Sequence, residues 1–419
     1  MIPFYRPYFD HREIFAALRP GGGRCEFEEA LAARVGARYG VAFAYGRAGI
    51  VAAFEALGIR QAEVMMPAYT CLVMAQAVVA SGNRPAFVDI DLADYNMDIG
   101  AVKAALTPQT RAVVATHLYG YPTDVDAIRA EIGDDRVLVI EDAAQGLLTS
   151  LPGKRGLRGD LGLFSFGPNK QLSTIQGGVV VTNSADLYEK IKAFRDQEVS
   201  QASTGVWAKR WARLIASYLI FNKPLYGWLQ RAGLVGWGSH ESDGVNPSAA
   251  ELPDDYASAY MDFQGRIGLA QLRKLDTVLD RRRALAGLYQ QELGDVPGLS
   301  PAPIIEGATY SQYTLRVSHR DAIDFPARML ARGVSIDQVF DYALPYLKPY
   351  RPYARGEYPC ARQAASQVIN LPGYPHLNEA EARHIAASVR RSLAEGLKPA
   401  RNYAPGQNGK KSPDAEASG

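Results

Sequence analysis

From about residue 62 to 183, short apolar and β-branched runs alternate with stretches whose apolar residues recur at helical spacing. Segments 64–66, 86–90, 112–116, 137–141, 163–166 and 179–182 have strand length and few charges, and they predict buried strands. Segments 71–80, 99–106 and 124–132 lie between several of them, 185–195 follows the last, and all four predict helices. Parallel neighbours need a crossover, usually helical, so this alternation predicts a mostly parallel sheet with helices on both faces. Residues 1 to about 30 read as irregular, with Gly21-Gly22-Gly23 breaking the chain ahead of a helix at 27–35. After the alternating region, 266–293 predicts one long helix, 313–317 a strand, and 324–332 and 378–394 further helices. The reading is an α/β protein with a large domain at 1–265 and a smaller α+β domain at 266–396, opened by the long helix. The tail, 397–419, is too poor in apolar residues to fold and is expected to be disordered.

Composition narrows the class. With 47% hydrophobic and 21% charged residues, the chain has enough apolar surface to bury a core. Lys and Arg number 46 against 44 Asp and Glu, and a balance of +2 gives no field to attract a nucleic acid. Cys25, Cys71 and Cys360 are too few and too scattered for a disulfide framework or a thiolate zinc site. The six histidines show no ligand spacing either, so no metal is expected. Met1-Ile2-Pro3-Phe4-Tyr5-Arg6 lacks the apolar core of a secretion signal, and no uncharged apolar run reaches the roughly 18 residues of a membrane span. A cytoplasmic protein is expected.

The charge is not evenly spread. Between Glu198 and Glu241 there is no acid, but there are five basic residues: Lys209, Arg210, Arg213, Lys223 and Arg231. The same stretch holds all four tryptophans, Trp207, Trp211, Trp228 and Trp237, around the apolar run 214–221. Three readings fit this basic, tryptophan-rich insertion, placed near 199–256. It is a peripheral membrane contact through 206–237, a hydrophobic flap over the active site, or added dimer interface.

Chemistry concentrates at two strand ends. Val139-Ile140 runs into Glu141-Asp142-Ala143-Ala144-Gln145, and Phe164-Ser165-Phe166 runs into Gly167-Pro168-Asn169-Lys170. Open α/β sheets bind ligands beyond the carboxyl ends of their strands. Asp142 is costly to bury without a cationic partner, and Lys170 presents an amine able to act as a nucleophile. A simple ion pair between them would also explain the pattern. A buried acid, an amine and phosphate donors together suggest pyridoxal phosphate, which needs a lysine for its aldehyde and a carboxylate for its ring nitrogen.

These segments resemble the DegT/StrS family of pyridoxal-phosphate-dependent nucleotide-sugar aminotransferases, which adopt the aspartate-aminotransferase-like (type I) fold. The likeness runs through Phe27-Glu28-Glu29, Pro67-Ala68-Tyr69-Thr70, Phe87-Val88-Asp89-Ile90-Asp91 and His117-Leu118-Tyr119-Gly120. It continues through Glu141-Asp142-Ala143-Ala144-Gln145, Ser165-Phe166 with Lys170, Gly177-Gly178, Gly268-Leu269-Ala270-Gln271-Leu272 and Asn370-Leu371-Pro372, up to about residue 396. The resemblance implies that Lys170 is the Schiff-base lysine and proton carrier, and that Asp142 pairs with the pyridinium. It further implies that Gln145 meets the ring's phenolic oxygen and that Ser165 meets the phosphate. Lys170 also places the chain with the aminotransferases, since histidine stands there in the family's dehydratase branch. The implied reaction moves an amino group, usually from glutamate, onto a keto sugar in a homodimer; the alternatives are a pyridoxal-phosphate-binding regulatory relative without turnover, or another pyridoxal-phosphate enzyme acting on an amino acid.

Some positions depart from the family pattern. The phosphate turn is Tyr45-Gly46-Arg47-Ala48 in place of the usual Ser-Gly-Thr, and it precedes a helix predicted at 49–57. A helix N-terminus draws an anion, and Arg47 offers a charge-assisted contact to the phosphate or else points to solvent. Cys71 stands where an aromatic often stacks on the ring, so either Cys71 packs there or Tyr69 does; as a core residue at a helix start, Cys71 would do neither. The family's Asn-Tyr-Arg segment is absent at Ala257-Ser258-Ala259, and Asp341-Tyr342-Ala343-Leu344-Pro345 replaces His-Tyr-Pro-Ile-Pro. Tyr69 and Tyr342 are the expected substrate contacts. His117, after an apolar strand, reads as an interior histidine rather than a base.

Overall fold

A computed structural model describes residues 1–220, 228, 252–253, 255–318, 320 and 324–396. The expected disordered tail at 397–419, and the part of the insertion carrying Lys223, Arg231 and Trp237, lie outside the described residues. The N-terminal region is more regular than its sequence suggested. Asp10 accepts from the Arg12 N–H at 2.7 Å, and Glu13 reaches back to the Asp10 N–H at 2.8 Å. This reciprocal cap starts α1 (His11–Leu18).

The chain then runs α2 (Arg24–Arg34), β1 (Tyr39–Phe43), α3 (Gly46–Ala56), β2 (Glu63–Pro67), α4 (Leu72–Ala80), β3 (Arg84–Val88) and α5 (Ile99–Ala105). It continues with β4 (Thr110–Thr116), α6 (Val125–Ile132), β5 (Leu138–Asp142), β6 (Leu161–Ser165), β7 (Gly178–Thr182) and α7 (Ala185–Glu198). β1 was not expected, because Gly40 interrupts the apolar run that marks the other strands. The seven strands form one sheet in the order β1-β7-β6-β5-β4-β2-β3. β7 is antiparallel to both its neighbours, and the other six strands share one direction. Val113, Val114, Val139 and Ile140 at its centre are fully buried, as helices on both faces require.

α8 (Thr204–Ile220) follows, then α9 (Asp262–Leu272) and α10 (Leu275–Leu293). The single helix expected at 266–293 is therefore two. The break falls at Lys274, whose ammonium is drawn 2.6 Å from the fully buried Glu13 carboxylate and lies over the Tyr8 ring. An ion pair with the N-terminal segment fixes that turn where helical periodicity continues. β8 (Leu299–Pro301), β9 (Tyr313–Val317), α11 (Phe325–Ala331), α12 (Pro359–Gln367), β10 (Val368–Leu371) and α13 (Glu379–Gly396) complete the described elements. β10-β9-β8 is a small antiparallel sheet. One apolar cluster joins the two sheets, from Val114 and Ile140 through Tyr69, Tyr119 and Phe340 to Leu315 and Ile369.

Candidate active site

Because β1, β2, β4, β5 and β6 run the same way, the residues that follow them meet at one sheet edge. A cavity of about 710 Å³ opens there. Its inner wall takes Gly46 and Arg47 from beyond β1, Thr70 and Cys71 from beyond β2, Asp142 and Gln145 from β5, and Ser165 and Lys170 from β6. Gly177, ahead of the reversed β7, joins them. The walls close tightly here: a Cβ on Gly178 would stand 2.4 Å from the Gly46 Cα, so only glycine lets β7 lie against the α3 turn. In the loop before it, the buried, β-branched Ile175 is held at φ +73°, a strained conformation, with its N–H on Ser173 Oγ at 3.2 Å.

Asp142 is buried, and among the described residues its carboxylate accepts one hydrogen bond, from the Ala144 N–H at 3.1 Å. Burial pushes its pKa up, and the Ala144 N–H, Lys170 and His117 only partly oppose that. A cationic ring N–H is the partner such a carboxylate lacks. Lys170 is half-buried, and a Gly167–Lys170 turn of 3.1 Å holds its backbone. Gln145 Oε1 accepts from the Tyr119 N–H at 2.8 Å, so its NH₂ is the group it can offer a ligand. No side chain caps α3, which leaves its first-turn N–H groups at Gly46, Arg47 and Ala48 for an anion. Arg47 is on the wall and buried, donating to Gln76 Oε1 at 3.1 Å. Among the described residues, Thr70 Oγ1 and Thr116 Oγ1 on the same wall are buried without a hydrogen-bond partner. This set fits a ring bearing a protonated nitrogen, a hydroxyl and a phosphate.

The structure brings Gly46, Arg47, Cys71, Asp142, Gln145, Ser165 and Lys170 together on the wall, with Ala48 buried one residue behind. Cys71 is on the wall, and burial pushes its thiol pKa up, which suits packing more than reactivity. Tyr69 and Tyr342, the expected substrate contacts, do not line the cavity. The Tyr69 hydroxyl pairs with that of Tyr119 at 2.8 Å and donates to the Phe340 carbonyl at 3.1 Å. The Tyr342 hydroxyl accepts from the Leu72 N–H at 3.0 Å. Both rings are buried, and they tie the start of α4 to segment 340–342. His117 is interior, its Nε2 3.1 Å from Glu141 and its Nδ1 accepting from the Thr123 N–H.

The outer wall was not expected in detail. α8 turns Lys209, Arg213, Ala216 and Ser217 to the cavity, a stripe at helical spacing that was legible in the sequence. Two anchors hold it. Arg210, 1% exposed, donates to the Ala259 carbonyl, Gln264 Oε1 and Ser258 Oγ, and Trp211 stacks on Phe263 at 5.0 Å. Trp207, Ile215, Tyr218 and Leu219 face outward, exposed. No described helix is long and apolar enough to cross a membrane.

Fold and site together define an aminotransferase of the aspartate-aminotransferase-like, type I fold. A sequence model of the DegT/DnrJ/EryC1/StrS aminotransferase family matches residues 16–220 and 255–390, and the chain belongs to that family. It is 30% identical over 372 residues to the UDP-N-acetyl-3-dehydro-α-D-glucosamine 3-aminotransferase of Acidithiobacillus ferrooxidans, covering 87% of each chain. It is 28% identical to the GDP-perosamine synthase of Caulobacter vibrioides, covering 88% of this chain and 89% of that one. Among solved structures, the aminotransferase TlmJ from Streptoalloteichus hindustanus matches with a TM-score of 0.75 at 27% identity, over 94% of this chain and 99% of that one.

Proposed function

We propose that this aminotransferase uses pyridoxal phosphate to move an amino group from glutamate onto a keto sugar carried on a nucleotide, in amino-sugar or polysaccharide synthesis. One observation carries the reading: a buried, under-bonded Asp142 and an accessible Lys170 share one cavity, each placed by the end of a neighbouring strand. Asp142 would hold the ring nitrogen protonated, Gln145 its hydroxyl, and Ser165 with the α3 turn its phosphate. When bound, the cofactor supplies an electron sink for the carbon that loses its proton. Lys170 Nζ anchors the cofactor and carries the proton between the donor carbon and the cofactor. The nucleotide-linked acceptor rests on the relatives, whose names specify UDP- and GDP-sugar products or substrates. The reading includes a cytoplasmic homodimer, for which light scattering gives twice the chain mass. Peripheral membrane contact through 206–237 is supported only by the outward apolar residues of α8, and a chain that stays in the supernatant with anionic vesicles overturns it.

The test is spectroscopic. The protein with cofactor is yellow, and glutamate bleaches it with release of 2-oxoglutarate. Lys170→Ala loses both the colour and amino transfer. A variant that keeps a covalently bound yellow cofactor, or a wild-type protein inert to glutamate, refutes the assignment.

A further inference from the structure

Among the described residues, the cavity lining carries more positive charge than the proposed cofactor can use: Arg47, Lys170, Lys209 and Arg213 line it, against Asp142 and Asp255. Asp142 is reserved for a ring nitrogen. Asp255 already accepts from the Tyr45 hydroxyl at 2.6 Å and lies 3.9 Å from Arg210. Arg47 belongs to the α3 turn, and Lys170 to the chemistry. Arg213 and Lys209, one turn apart on α8, remain for a ligand. Among the described residues, Arg213 meets an amide oxygen and no carboxylate: its Nη1 donates to Gln176 Oε1 at 2.6 Å.

That amide is the second, independent observation. Gln176 is 5% exposed and lines the cavity, and among the described residues its buried Nε2 has no partner. With its oxygen taken by Arg213, only N–H donors are left to offer, and a buried donor left unmade is costly. A guanidinium held by one nitrogen, an unpaired amide NH₂ and an exposed ammonium at the mouth make a surface of donors alone. Phosphoryl oxygens match it: they are anionic, accept several bonds and suit the planar fork of arginine.

We infer that Arg213 and Lys209 on the outer wall, with Gln176 of the loop before β7, form a seat for the diphosphate of a nucleotide-linked acceptor, apart from the α3 turn that would take the cofactor's phosphate. The inference rests on the proposed function and names how its acceptor is recognised. α8 thereby works as the substrate-facing wall of the site. The seat reads charge and geometry, not the nucleotide base, so it binds inorganic pyrophosphate as well as UDP.

Titration calorimetry of the holoenzyme with inorganic pyrophosphate and with UDP tests it. Arg213→Gln weakens both by about tenfold or more, the loss of a charge-assisted, oriented contact. Lys209→Gln, at the exposed mouth, weakens both by about threefold. Arg213→Lys recovers part of the loss, since the charge stays while the fork goes. Unchanged affinity for both ligands in Arg213→Gln overturns the proposal, as does a wild-type holoenzyme that binds neither. Loss of cofactor absorbance in Arg213→Gln would assign the group to the cofactor's phosphate instead. Loss of bleaching by glutamate with diphosphate affinity intact would assign it to the donor's carboxylates. Failure of the aminotransferase reading is separately visible, as a wild-type protein that glutamate does not bleach.

Discussion

The two walls of the cavity are built by different means. The inner wall is the edge of a sheet: four strands of common direction deliver Arg47, Cys71, Asp142, Gln145 and Lys170, and each strand is fixed by ladder bonds and by a core on both faces. The outer wall is one helix, α8, held at Arg210 and Trp211. The inner wall is therefore set by the whole sheet, while the outer wall can shift or be remodelled without touching it. A cofactor common to many substrates belongs on the first. The group that differs between substrates belongs on the second.

The largest effect that separates the walls is expected at Asp142. Asp142→Asn should lower kcat by about 10² to 10³-fold, the range for removing one preorganised electrostatic partner, and should leave diphosphate binding on α8 unchanged. The same variant has a pH signature without the cofactor. The folded-state pKa of Asp142 is raised by burial, so the fold prefers its protonated form. That contribution is complete below the ordinary aspartate range and is lost as pH rises through the raised value. Cofactor-free wild-type protein should thus lose stability relative to Asp142→Asn as pH climbs toward neutrality, and added cofactor should close the gap. Equal pH dependence in thermal melts of the two cofactor-free proteins would show that Asp142 is not desolvated.

Next comes the anchor of the outer wall. Burial pulls the Arg210 guanidinium pKa down and Asp255 opposes it, so the side chain is held by its hydrogen bonds more than by a close ion pair. Arg210→Met strands the Ala259 carbonyl and removes one of the two donors to Gln264 Oε1, at a cost of about 2 kcal/mol in denaturant unfolding. The loss should appear first as protease sensitivity around α8, with the cofactor's absorbance retained. If the cofactor leaves in step with α8, the walls are not independent and the comparison fails.

The same contrast governs what the sequence reveals. Strand and helix periods, and the strand ends that carry Asp142 and Lys170, were legible because local spacing encodes them. The break before α10 was not, since it depends on Lys274 reaching Glu13 from some 260 residues away along the chain, a contact no periodicity records. β1 was hidden by Gly40, and α1 was missed although the Asp10 and Glu13 cap was there to read. Tyr69 and Tyr342 illustrate the other limit. Their motifs place the backbone near the cavity, but whether a ring turns to ligand or core depends on Tyr119, Phe340 and the Leu72 N–H, which only packing brings together. The stripe 209, 213, 216, 217 is present in the sequence, but the same basic and tryptophan-rich stretch reads equally as a membrane face, and only packing shows that its charges turn to the cavity and its exposed apolar residues away from it.

The smallest effect sharpens that last point by setting two faces of α8 against each other. Ile215 and Leu219 are 52% and 53% exposed, whereas Leu214, between the cavity face and the anchors, is fully buried with Phe263 and Ile267. Replacing both exposed residues, Ile215→Ser with Leu219→Ser, removes no contact that the chain's own fold needs, so unfolding free energy should move by no more than about 0.5 kcal/mol. Pyrophosphate affinity should hold as well, because Lys209 and Arg213 lie on the other face. A drop of several kcal/mol would mean that the outward face is covered in solution and supports α8 from outside, so that the outer wall, like the inner one, would be set by more than its two anchors.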